Sequence, residues 1–148
     1  MSDLQDLYQE LILDHNARPH NFGAMAQATH QAEGYNPLCG DQVVVYLRLD
    51  GDVITDVRFD GKGCAISKAS ASLMTDHLKG KKIDQAQALF RRFHALVTGD
   101  GDGGNAELGK LAAFSGVREF PMRVKCATLA WHTLRQALDH KTDVVSTE

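Results

Sequence analysis

The sequence predicts an α+β fold: a small antiparallel sheet of about three strands with helices packed on one face. Three observations lead there. Leu4, Leu7, Tyr8, Leu11 and Ile12 recur at helical spacing near the start. Two alternating apolar runs then flank Asp50-Gly51-Asp52, the pattern of a hairpin. From Ser67 onward only helical periods appear. A helix, a short sheet and then a run of helices is the order of an α+β chain.

Each element has its own signals. The first helix is capped by Ser2 or Asp3 and leaves at Pro19. A turn-rich stretch from His20 to Pro37 shows no clear period, with a short strand predicted at Thr29 to Glu33. Gln42 to Leu49 alternates and places Val43, Val45, Leu47 and Leu49 on one face. After the turn, Val53, Thr55, Val57 and Phe59 share a face of the next strand. Gly61-Lys62-Gly63 ends the sheet. A helix is predicted from Ser67 to Leu78, with Ile66, Ala69 and Leu73 on one side and Gly80 just past its end. Another runs from Ile83 to Val97 and buries Ala86, Leu89 or Phe90, Phe93 and Val97. Thr98 to Asn105 is a loop, followed by a short helical segment at Ala106 to Phe114. The last helix starts on Pro121, a residue suited to a first helical position, and buries groups near Cys126, Leu129, Trp131, Leu134 and Leu138. A flexible tail is expected from about residue 141.

With 148 residues the chain is expected to form one domain over 1–148, burying about 68–70% of its unfolded surface. Its formal charge of -3 and the lack of a Lys/Arg-rich run argue against nucleic acid as a partner. Met1-Ser2-Asp3-Leu4-Gln5-Asp6 lacks the features of a secretory signal, and no apolar run spans a bilayer. A cytoplasmic protein without membrane contact is expected. There, three widely spaced cysteines act as free thiols, metal ligands or reactive groups.

Those cysteines carry the chemistry. Cys39 sits in Asn36-Pro37-Leu38-Cys39-Gly40-Asp41, on a turn bounded by Pro37 and Gly40. Cys64 follows Gly63 and precedes a helix, where free N–H groups favour a thiolate. Cys126 has Arg123 one turn behind it on the same helix face and Lys125 beside it. All three contexts favour ionised sulfur, which a buried structural cysteine has no use for. If Cys39 and Asp41 open an extended segment, thiolate and carboxylate point to one side. Three thiolates and a carboxylate would suit zinc or iron–sulfur chemistry. Asp41 alone reads more commonly as a turn or strand-start residue. The Asp/Gly run from Asp100 fails as an EF-hand, because Asn105 and Leu111 stand where Gly and Glu are needed. No two of the seven histidines have metal-ligand spacing; His15, after Asp14, reads as a helix cap.

At these motifs the chain resembles the NifU/IscU superfamily of iron–sulfur assembly proteins, and most closely its SufU branch. The likeness runs from about Leu7 to Leu138. It includes Ile12-Leu13-Asp14-His15 with Pro19 and Asn21, the Cys39 motif, and Gly63-Cys64-Ala65-Ile66-Ser67 with Ala69-Ser70-Ala71-Ser72. It also includes Arg123, Lys125-Cys126 and Trp131. The resemblance implies a NifU/IscU-like fold and a zinc-bound sulfur acceptor that takes persulfide sulfur from a SufS-type cysteine desulfurase. It implies Cys39 as the acceptor, Asp41, Cys64 and Cys126 holding zinc beside it, and Arg123 in support. Downstream partners would be an iron–sulfur scaffold or apo-proteins.

Two departures separate the chain from the IscU pattern. Lys125 stands where that pattern has histidine, and the stretch between Cys64 and Cys126 is longer, with the excess around Phe90 to Phe114. Three readings follow: a zinc-dependent sulfurtransferase partner, a scaffold carrying a transient iron–sulfur cluster, and a structural zinc module. Lys125 removes a cluster ligand and disfavours the second; exposed, activated thiols disfavour the third. The first reading is a sulfur-transfer partner, not a stand-alone catalyst.

Overall fold

A computed structural model of the protein describes residues 2–99, 108–139 and 144–146. Expectations for the Ser2, Asp3 and Leu4 side chains, the loop at 100–107, and residues 140–143 and 147–148 lie outside the described residues. Helix α1 (Ser2–Ala17) leads into strands β1 (His30–Asn36), β2 (Asp41–Asp50) and β3 (Val53–Lys62). Helices α2 (Ala65–Leu78) and α3 (Ile83–Thr98), a 3-10 segment (Gly109–Glu119), helix α4 (Pro121–Leu138) and strand β4 (Val144–Ser146) complete the order.

The sheet order is β3-β2-β1-β4, antiparallel through its first three strands. Part of the expected tail is structured: Val144, Val145 and Ser146 pair in parallel with Glu33, Gly34 and Tyr35 of β1. The β-branched pair Val144-Val145 suits a strand, and the open edge of β1 supplies the hydrogen-bonding groups. Strand β1 is longer than the alternation predicted, because its pairing with β2 continues to Asn36 opposite Asp41.

One face of the sheet is buried, by Ala32, Val43, Val45, Leu47, Ile54, Val57 and Phe59. The expected face of β3 differs at its start. Arg48 pairs with Asp56 but Leu49 with Ile54, which leaves Thr55 as the extra residue of a bulge. A bulge shifts the two-residue period by one, so Ile54 turns inward and Val53 and Thr55 do not. Thr55 Oγ1 donates back to the Arg48 carbonyl at 3.0 Å.

Helices α4 and α2 cover this face. Helix α2 begins at Ala65, two residues before the predicted Ser67, with the Cys64 side chain capping its first turn. Helix α1 differs more. Leu11 and Ile12 pack on the core and His15 is buried, but Leu7 is 61% exposed. Among the described side chains of α1, burial is confined to its C-terminal part, and the helix packs on α2 and the 3-10 segment.

Of the helical stretch predicted at Ala106–Phe114, the described part from Gly109 forms an 11-residue 3-10 segment, Gly109–Glu119, that runs on past Phe114. Such length is uncommon for this geometry. Its Leu111 and Phe114 are fully buried. Phe114 meets Phe93 edge-on at 5.7 Å, and Phe93 stacks on Trp131 at 4.7 Å. Trp131 Nε1 donates to Ser70 Oγ at 3.1 Å, and Ser70 donates to the Ala127 carbonyl at 2.6 Å. The buried indole N–H therefore costs little. No helix among the described residues is long and apolar enough to cross a membrane.

Candidate metal centre

Three chain segments bring the site together. The first is the four-residue turn Pro37–Gly40 between the paired ends Asn36 and Asp41. Both the Cys39 and Gly40 amides reach the Asn36 carbonyl, at 3.3 and 2.9 Å, and Gly40 closes the turn at φ +72°. That left-handed conformation is open to glycine without strain. Cys39 thus lies on the turn and not in the strand, so strand alternation does not align it with Asp41. The turn itself does. It leaves Cys39 partly exposed beside fully buried Asp41.

The second segment is the β3–α2 junction. The Cys64 amide donates to Asp41 Oδ1 at 2.9 Å, and Cys64 Sγ lies 3.8 Å from Asp41 Oδ2. Asp41 is therefore held by a backbone donor as well as by its strand. Gly63 makes this possible, because a Cβ there would stand 2.5 Å from Asp41 Oδ1. The Ser67 amide donates to Cys64 Sγ at 3.4 Å, the expected helix-start environment for a thiolate.

The third is the second turn of α4. Cys126 is fully buried, with its sulfur 3.3 Å from Cys39 Sγ and 3.4 Å from the Met122 carbonyl. Donor atoms of Cys39, Asp41 and Cys126 all lie within 4.8 Å of one another. The four residues singled out in the sequence thus converge, with Cys64 joined through Asp41.

Charge is distributed unequally among them. A hydrogen bond with Cys126 lowers the Cys64 thiol to about 6, helped by the Ser67 amide and opposed by burial. The same hydrogen bond, with burial next, pushes the Cys126 thiol far above its ordinary range. Arg123 is exposed on α4, and the charge of Cys64 first, then Cys126, raises its guanidinium above the usual value. It is the cation of this cluster, as its place on the helix predicts.

Sequence reasoning missed Asn36. It is fully buried, its Nδ2 reaches Cys126 Sγ at 3.6 Å, and its Oδ1 accepts the Leu38 amide at 3.2 Å. It links the Cys39 turn to the Cys126 sulfur. The signal was present in the strand period, since Ala32, Gly34 and Asn36 share the inward face of β1.

A NifU-like N-terminal domain model matches residues 7–127 of this chain. The chain belongs to that family. This NifU-like protein is 39% identical over 137 residues to the zinc-dependent sulfurtransferase SufU of Bacillus subtilis (strain 168), covering 93% of this chain and 92% of that one. It is 40% identical over 138 residues to the iron–sulfur cluster assembly scaffold protein IscU of Streptococcus pyogenes serotype M1, covering 93% and 86%. A proposed scaffold protein for the SUF system from Fervidobacterium islandicum AW-1 has a similar crystal structure, with TM-score 0.80 and 37% identity over 87% of this chain and 94% of that one. The likeness to the SufU branch is borne out in sequence and in fold.

Proposed function

We propose that this NifU-like protein is a zinc-dependent sulfur acceptor of iron–sulfur cluster assembly, working in the cytoplasm. It would take persulfide sulfur from a SufS-type cysteine desulfurase and pass it to a scaffold or apo-protein. The observation that carries this reading is the convergence of Cys39, Asp41 and Cys126 within 4.8 Å, with Cys64 Sγ 3.8 Å from the same carboxylate.

The donor set fits zinc. Zinc–sulfur bonds of about 2.3 Å in a tetrahedron put neighbouring sulfurs about 3.8 Å apart. The Cys126–Cys39 separation of 3.3 Å is within about half an ångström of that. Cys39, Asp41, Cys64 and Cys126 would be the ligands. Bound zinc would keep the thiolates deprotonated without redox chemistry of its own.

Cys39 is the acceptor in this reading, because it combines access with a turn that can swing outward, whereas Cys126 is buried in α4. Its thiolate attacks the outer sulfur of the partner's persulfide. The partner's S–S bond breaks, its cysteine leaves as a thiolate, and Cys39 keeps the sulfur as a new persulfide. Asp41, the one hard donor, stays anchored by the Cys64 amide while Cys39 moves. Arg123 steadies the negative charge left on the cluster.

The test combines metal analysis with a desulfurase assay. The purified protein is expected to carry about one zinc at this site, and incubation with desulfurase and cysteine should add one sulfur atom to Cys39 by peptide mass spectrometry. Cys39→Ser should abolish desulfurase stimulation in a folded protein. Sulfur appearing on Cys126 instead would overturn the assignment. The likeness to a relative named as an IscU scaffold favours a second reading, cluster assembly on this site. A stable reconstituted cluster that passes efficiently to an apo-ferredoxin would establish that reading instead.

A further inference from the structure

We propose that His15, His20 and Asp76 form a second divalent-cation site, suited to zinc and separate from the thiolate cluster. Asp76 lies twelve residues along α2 from Cys64, about 18 Å at the helical rise. The three residues come from the end of α1, the loop after it and the second half of α2, which is why no sequence spacing announces them.

One ligand atom from each lies within 4.8 Å of the other two. The His15 and His20 rings are 4.3 Å apart between centroids. His20 Nδ1 lies 2.6 Å from Asp76 Oδ2, and Asn21 Nδ2 donates to Asp76 Oδ1 at 3.0 Å, which orients the carboxylate. His15 is 2% exposed, and its Nδ1 lies 2.6 Å from Ser72 Oγ. Its Nε2 has no hydrogen-bond partner among the described residues. A buried ring nitrogen without a partner is costly, and a metal ion is one way to satisfy it.

Two imidazoles and a carboxylate are a recognised donor set for zinc, with water in the fourth position. Ser72 Oγ, which also accepts the His20 backbone N–H at 2.8 Å, can accept His15 Nδ1–H, a tautomer that leaves the Nε2 lone pair free for a ligand. At His20 the ion takes the place of the proton between Nδ1 and Asp76, and the imidazole keeps its proton on Nε2. The 2.6 Å contact then opens to about 3.3 Å, the spacing of two ligands on zinc. The His20 and Asp76 side chains are 49% and 36% exposed, so they can make that adjustment and an ion can reach them.

The experiment is a zinc titration of the full chain against a chromophoric chelator, repeated for His20→Ala and Asp76→Asn. Wild-type protein should bind a second equivalent, and each variant should bind it at least tenfold more weakly with the first equivalent unchanged. Cobalt in the second site should show no thiolate charge-transfer band. Saturation of the wild-type protein at a single equivalent removable by Cys64→Ser would overturn the second site and leave the thiolate site standing. Undiminished second binding in both variants would also overturn it. Far-ultraviolet circular dichroism verifies folding, and Asp76→Asn keeps an acceptor for Asn21.

Discussion

Cys64 holds its thiolate through neighbours from two different parts of the chain. The Ser67 amide belongs to its own helix start, and a reader of the sequence can place it. The hydrogen bond with Cys126, the larger effect, comes from a helix far along the chain. In the metal-free protein the Cys64 pKa is lowered from 9.0 to about 6, so its thiolate is present above pH 6 and is lost as pH falls through that value. Alkylation of Cys64 by iodoacetamide in chelator-stripped protein is therefore expected to rise with a midpoint near 6, while buried Cys126 stays unmodified. A midpoint near that of an ordinary thiol, read by peptide mass spectrometry, would mean that these neighbours do not favour the Cys64 thiolate. Asn36 and Asp41 carry the same lesson. Their places in the motif are visible, but their full burial against the sulfurs is not.

Two short connections between elements set the site's dimensions. The turn Pro37–Gly40 presents Cys39, and the β3–α2 junction brings the Cys64 amide onto Asp41. Gly63 is the tightest point, because a methyl group there would meet Asp41 Oδ1 at 2.5 Å against the sheet. Gly63→Ala is expected to displace the carboxylate and weaken zinc retention at least tenfold, with far-ultraviolet circular dichroism unchanged. Competition with a chelator measures this, and wild-type retention would show that Asp41 is not held where the structure places it. Strands β2 and β3 were readable from their alternation. The Thr55 bulge was not, because a one-residue slip is set by pairing across the hairpin and leaves no local mark.

At the scale of the molecule, the described residues on both sides of 100–107, in the stretch that looked like extra length between Cys64 and Cys126, are part of the core. Phe90, Phe93, Leu96 and Val97 of α3 are buried, as are Leu108, Leu111 and Phe114. Phe93 lies between Trp131 and Phe114, so α3, α4 and the 3-10 segment share one aromatic cluster. Phe114→Ala should destabilise the protein by about 3–5 kcal/mol, the usual cost of an aromatic truncation in a packed core. Urea unfolding with Trp131, the single tryptophan, as the fluorophore would measure it. A loss below about 1 kcal/mol would mean the segment only rests on the surface. From the sequence this stretch read as a helix, a loop and a short helical piece. How far it enters the core depends on aromatic groups from three segments meeting.

The sequence by itself determined the α+β order, the hairpin, the helix start at Pro121, and the residue types of the thiolate site. These follow from local rules: the period of apolar groups, turn chemistry, and the free amides of a helix start. Only the tertiary structure decided the burial of Asn36 and Asp41 against the sulfurs, the inward turn of Ile54, the edge pairing of β4, and the meeting of His15, His20 and Asp76. Each of those depends on contacts between groups distant along the chain, and no local pattern encodes a distance across the fold.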